Sequence, residues 1–126
     1  MTPTVPSSTL TMSQPMSQPI SQPELNAVKR LEIVTSSVEL KKILETLEKL
    51  KVQGYSIIRG VSGKGDRGVT TCDLDVDGVC NDYILAICDL DQESDVLAAL
   101  HPILTRYGGI CISSDAKSLV HKGPGW

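Results

Sequence analysis

The residues best suited to chemistry lie in one run, Arg59-Gly-Val-Ser-Gly-Lys-Gly-Asp-Arg-Gly68. Small residues at 60, 62, 63, 65 and 68 permit unusual dihedrals and close backbone approach. Successive N–H groups in such a loop form an anion-binding nest. Lys64 brings a mobile point charge, and Arg67 or Arg59 a planar fork that matches phosphate oxygens. The run is not a Walker loop, because Lys64 is followed by Gly65 and no helix is expected there. By local features alone it reads equally as a phosphate cradle and as a hairpin loop whose charges keep it soluble. Downstream, Asp73-Leu-Asp-Val-Asp77-Gly78 matches the opening of a calcium loop, with Asp73, Asp75 and Asp77 as weak metal candidates. Its twelfth position is Ile84 where a bidentate Glu is needed, so a solvated acidic loop tip is the simpler reading. Cys72 and Cys80 flank this tip at a spacing that fits neither a redox CxxC nor a zinc pair. They are either two inert thiols or, if the loop folds back, a switchable disulfide. His101 and His121 have no Cys or acid at metal or catalytic spacing, and no Ser-His-Asp or Cys-His arrangement is suggested. No catalytic residue is therefore assigned.

Composition narrows the classes. The chain has 126 residues, 40% of them hydrophobic but only 3% aromatic, with no Phe, so its core must be built from Leu, Ile, Val and Ala. A net charge of −3 lacks the basic footprint of a nucleic-acid binder. No apolar run approaches the roughly 20 residues that span a bilayer, and no secretory signal is recognised. Cys88 and Cys111 sit in apolar runs and read as small buried hydrophobes, which points to a reducing, cytoplasmic setting.

The elements that must position the loop follow from periodicity. Residues 1–24 hold a Ser-Gln-Pro repeat and read as a disordered tail, residues 25–120 as one domain, and 121–126 as a C-terminal tail. Residues 28–34 are patterned as a strand, and Thr35 to Ser37 form a capping cluster. Residues 38–51 form an amphipathic helix with Val38, Leu40, Ile43, Leu44, Leu47 and Leu50 on one face, and Gly54 is expected as its left-handed terminus. Strands follow at 55–61 and 82–88, with a long polar loop from Ser62 to about Asn81 between them. A second helix starts at Asp89 or Asp91, with Pro102 expected to kink or break it, and ends at Tyr107-Gly-Gly109. The last strand is 110–113. The order βαββαβ predicts an α+β, ferredoxin-like sandwich: two helices over a four-stranded antiparallel sheet. Apolar residues on both faces of the strands (Ile57 with Ile58, Ile84 with Leu85) imply that the bare face is covered by oligomerisation.

The pieces Ile33-Val-Thr35, Leu40-Lys-Lys-Ile43, Gln53-Gly-Tyr55 and Gly63-Lys-Gly-Asp-Arg67 resemble P-II-like signalling proteins, nearest the SbtB-type regulators associated with bicarbonate transport and carbon concentration. Residues 28–125 carry the likeness, the second half more weakly through YGGICISSDAKSLVH. It implies a homotrimer with sheets packed inward. It implies an adenine nucleotide, cyclic AMP, AMP, ADP or ATP, bound in clefts between subunits. The long loop between the second and third strands, the T-loop, would engage a protein target, a membrane transporter reached from the cytoplasm. Gly63, Lys64, Gly65 and Arg67 would then hold phosphate, while Gly60, Val61, Ser62, Thr35 and Ile110 would line base and sugar. The chain departs from the family at Thr70, where an Arg is expected, and in the short Tyr107-Gly-Gly109 turn, which implies weak or absent triphosphate binding. The competing reading is a metal- or redox-responsive module built on the acidic, Cys-flanked loop.

Overall fold

The computed structural model describes residues 22–66, 68–70 and 80–126. Strand β1 spans Leu25–Ser36, and a 3-10 turn at Ser37–Glu39 leads into α1, Leu40–Lys49. Strand β2 is Gly54–Val61, and β3, Gly63–Gly65, pairs with β4, Gly68–Thr70. Strand β5 is Asn81–Cys88. A 3-10 turn at Leu90–Gln92 precedes α2, Glu93–Tyr107, and β6 is Ile110–Leu119. The main sheet has the order β2-β5-β1-β6 with every pair antiparallel.

Alternation along the strands assigns the two faces. Leu31 and Ile33 of β1 and Ile84, Ala86 and Cys88 of β5 are fully buried against Ile43 and Leu47 of α1 and Val96 and Leu100 of α2. Burying a Leu or Ile side chain contributes about 1.5–3 kcal/mol, so this aliphatic layer sustains the fold without aromatic residues. The opposite face carries the row Ile58, Tyr83, Val34, Ile110, each beside the next in register, with Ile112 beside Glu32. On that face Ile58, Ile110 and Ile112 remain 59%, 54% and 52% exposed.

Local signals explain the element ends. The Ser36 hydroxyl accepts from Val38 N–H at 3.2 Å at the start of α1. Asp89 N–H donates to the Gln92 side chain at 2.9 Å before α2. Four expectations need correction. Val38 is 70% exposed rather than part of the buried helix face, because it precedes the α-helix in the 3-10 turn. The left-handed residue after α1 is Lys51, φ 57, not Gly54, which already begins β2. Helix α2 runs through Pro102 unbroken; Pro102 and Ala98, four residues before it, are exposed, so water can serve the freed carbonyl. Strand β6 continues to Leu119, because Ser114 to Leu119 pair with Leu25 to Arg30 although their sequence is polar.

Candidate functional site

Strand β2 leaves the sheet through a break in register between Ile58 and Val61. Gly60 sits in this break with φ 74, a conformation that favours glycine. Its N–H donates to Asp82 Oδ1 at 3.0 Å, and Arg59 Nε lies 3.1 Å from Asp82 Oδ2. That second contact is an ion pair without an aligned hydrogen bond, so Oδ2 is buried and lacks a hydrogen-bond partner. Asp82 is 0% exposed, while the Arg59 side chain is 68% exposed. The chain returns at Cys80, whose carbonyl accepts from Ser37 N–H at 2.8 Å. Both ends of the loop are thus tied to the sheet end that carries Thr35 and Ser37.

Between these ends, Gly63, Lys64 and Gly65 form an exposed strand, with Lys64 opposite Val69. A Cβ added at Gly63 or Gly65 would meet nothing within 4 Å, so this backbone is open to a ligand. The Gly60 amide is different: Asp82 occupies it. Thr35 is 1% exposed, points toward the helices and stands beside Asp82 in register, and its Oγ1 has no hydrogen-bond partner. Ile110 lies on the other face beside Val34. The structure thus brings Gly60 to Gly65 together and separates Thr35 from Ile110 by the thickness of the sheet. Arg67 and the Asp73, Asp75 and Asp77 run lie outside the described residues, as does Cys72. Among the described residues no three His, Cys, Asp or Glu side chains converge as metal ligands. Beside Arg59 opens a groove of about 460 Å³, lined among others by Ser37, Lys41 and Glu45.

The sequence reading missed Asp82. Its signal was parity: it falls on the inward row with Ile84, Ala86 and Cys88, where a carboxylate is costly. Cys80 is disulfide-bonded, while Cys88 and Cys111 are free. Burial pushes the Cys111 thiol up to about 11 and raises that of Cys88 as well. On the open face the Tyr83 hydroxyl donates to Glu32 at 2.8 Å, which raises its ionisation above the ordinary tyrosine value. Among the described residues no helix is long and apolar enough to cross a membrane.

The fold has solved counterparts. A nitrogen regulatory PII-like protein, CPII, from Thiomonas intermedia K12, in a complex with ADP, AMP and bicarbonate, is 23% identical, with a TM-score of 0.70 over 75% of this chain and 91% of that one. Its apo form is 20% identical, with a TM-score of 0.66 over 79% and 100%. A PII-like signalling protein from Thermus thermophilus is 22% identical, with a TM-score of 0.59 over 75% and 91%. No curated protein matches. The family model for nitrogen regulatory protein P-II matches residues 28–119, most of the described domain with both helices, the whole loop and all but the first residues of the sheet, and the chain belongs to that family of signalling proteins.

Proposed function

We propose that this chain binds an adenine nucleotide at the Gly63–Gly65 strand and reports the bound state to a protein target through residues 62–81. The supporting observation is the placement of Lys64 on an open, glycine-flanked strand, just beyond edge strand β2 of a sheet whose exposed face carries Ile58 on that strand and Ile110 on the opposite edge. Lys64 and Arg67 supply cationic partners for phosphate, and the glycines flanking Lys64 allow its backbone to approach. The exposed apolar face supports a homotrimer in which three sheets pack inward and the loop lies at a subunit seam. CPII in complex with ADP and AMP supports the nucleotide class by likeness of fold. Gly60, Val61 and Ser62 line the cleft on this reading, with Ile110 offered across the open face, while Thr35, buried beneath the helices, drops out of the lining.

Titration calorimetry with cyclic AMP, AMP, ADP and ATP tests it. One adenylate is expected to bind, and Lys64→Ala to weaken it about 5- to 30-fold, the worth of one charge-assisted contact of roughly 1–2 kcal/mol. Equal affinity of the variant and the parent would remove Lys64 from the site.

A second reading rests on Cys80, which is disulfide-bonded while Cys88 and Cys111 are free thiols. Cys72 is the fourth cysteine of the sequence. On this reading the thiols of Cys72 and Cys80 close the loop by giving two electrons and two protons to a disulfide oxidant, and a dithiol reopens it. Two titratable thiols per denatured chain before reduction and four after would support it. Four before reduction, or a covalent dimer, would refute it.

A further inference from the structure

A carboxylate with no exposure needs a reason to be buried. Asp82 occupies an inward position of the central strand β5, in the row that continues as Ile84, Ala86 and Cys88. A valine there would extend that row without any desolvation cost. Packing therefore does not account for the carboxylate. Its two contacts do: Gly60 N–H at 3.0 Å and Arg59 Nε at 3.1 Å, both on the two residues that break the register between β2 and β5. Gly60 and Arg59 have no ladder pairing to β5, so Asp82 substitutes for it. Lys64 follows four residues after Gly60, with Val61 restored to register beside Asn81 in between. The angle at which the binding strand departs is thus decided at Asp82. Its register neighbour Thr35 presents a second buried oxygen without a hydrogen-bond partner, so this sheet end is polar on two adjacent strands.

We propose that Asp82 is a positioning residue for the nucleotide loop: it fixes the Arg59–Gly60 break that aims Lys64 and holds the exposed Arg59 guanidinium at the mouth of the adjoining groove. The assignment deepens the nucleotide-binding reading and depends on it for its ligand arm only.

Two variants separate positioning from stability. Asp82→Asn can still accept from Gly60 N–H but no longer pairs with Arg59, and Asp82→Val removes both contacts while keeping the interior apolar. The expected result for Asp82→Val is a thermal midpoint at or above that of the parent, at least tenfold faster hydrogen exchange at the Gly60 amide, and unchanged exchange at Ile84 and Ala86. Adenylate affinity should fall at least tenfold in Asp82→Val and less in Asp82→Asn. Arg59→Gln should weaken binding in the parent but not further in Asp82→Asn. Unchanged Gly60 exchange in Asp82→Val overturns the proposal. So does exchange that rises together at Gly60, Ile84 and Ala86 in both variants, since Asp82 would then be a stability residue. If the parent binds no adenylate, the nucleotide reading fails, and the Gly60 exchange still decides whether Asp82 positions the loop.

Discussion

Trp126, the chain's single tryptophan, lies over Gly54 and donates from Nε1 to Ser56 Oγ at 2.6 Å. A Cβ at Gly54 would sit 2.5 Å from Trp126 Cε3 and 2.7 Å from Cδ2. No pair of carbons tolerates that, so Gly54→Ala must displace the indole and with it the hydrogen bond. Trp126 as a whole residue is 61% exposed, so about 100 Å² of its surface is covered, worth at most about 2.5 kcal/mol at roughly 25 cal/mol/Å². The hydrogen bond adds about 1 kcal/mol. Fixing a residue's backbone costs roughly 1–2 kcal/mol, so holding even two of the residues after Val120 offsets most of this gain. The net effect on global stability is therefore small, a fall in Tm below about 5 °C for a domain of this size. The local effect is large. Tryptophan emission should shift to the red and acrylamide quenching should rise toward that of a free indole, and Ser56→Ala should give a milder form of both. Emission and quenching identical to the parent would refute the docking, and a Tm loss beyond about 10 °C would mean that Gly54 serves something other than its neighbour's ring.

Gly109→Ala tests a different constraint: φ is +119 and the new Cβ would lie 2.6 Å from the Val34 carbonyl oxygen, so a loss of about 2–4 kcal/mol is expected in urea denaturation, and an unmoved midpoint would contradict it. Cys111, held at about 11, should be alkylated far more slowly than an unhindered thiol at pH 8. Because its folded value lies above the ordinary value of 9.0, its contribution to stability is complete below pH 9 and is lost as pH rises through about 11, which denaturation measured at pH 8 and 10.5 in the parent and in Cys111→Ala checks. Ile112→Glu places a charge on the open sheet face, where the parent residue is 52% exposed, and should yield monomers in sedimentation velocity without unfolding, while trimers of unchanged stability would remove that face as the interface.

Strand and helix order was legible because each element's burial pattern is local: period two in residues 81–88, and one apolar helix face through Leu40, Ile43 and Leu47. The anion-binding character of Gly63, Lys64 and Gly65 was equally open to reading, since it depends on residue type and not on neighbours distant in sequence. Sequence pattern ends β6 at Ser113 because its second half is polar, whereas its pairing with Leu25 to Arg30 is decided by register over some ninety residues of separation. The docking of Trp126 on Gly54 joins the last residue of the sequence to the start of β2, and no local pattern announces such a contact. The same holds for Asp82. From residue types alone it is one acid at the start of a strand; antiparallel pairing of β5 with both β1 and β2 sets it between Thr35 and Gly60, where its oxygens must be held. Composition and spacing determined which elements form and which loop carries cations, since those are properties of short segments. Tertiary structure decided which buried oxygens share a sheet end and which face Ile110 presents, because both follow from strand pairing, a relation between segments that neither contains by itself.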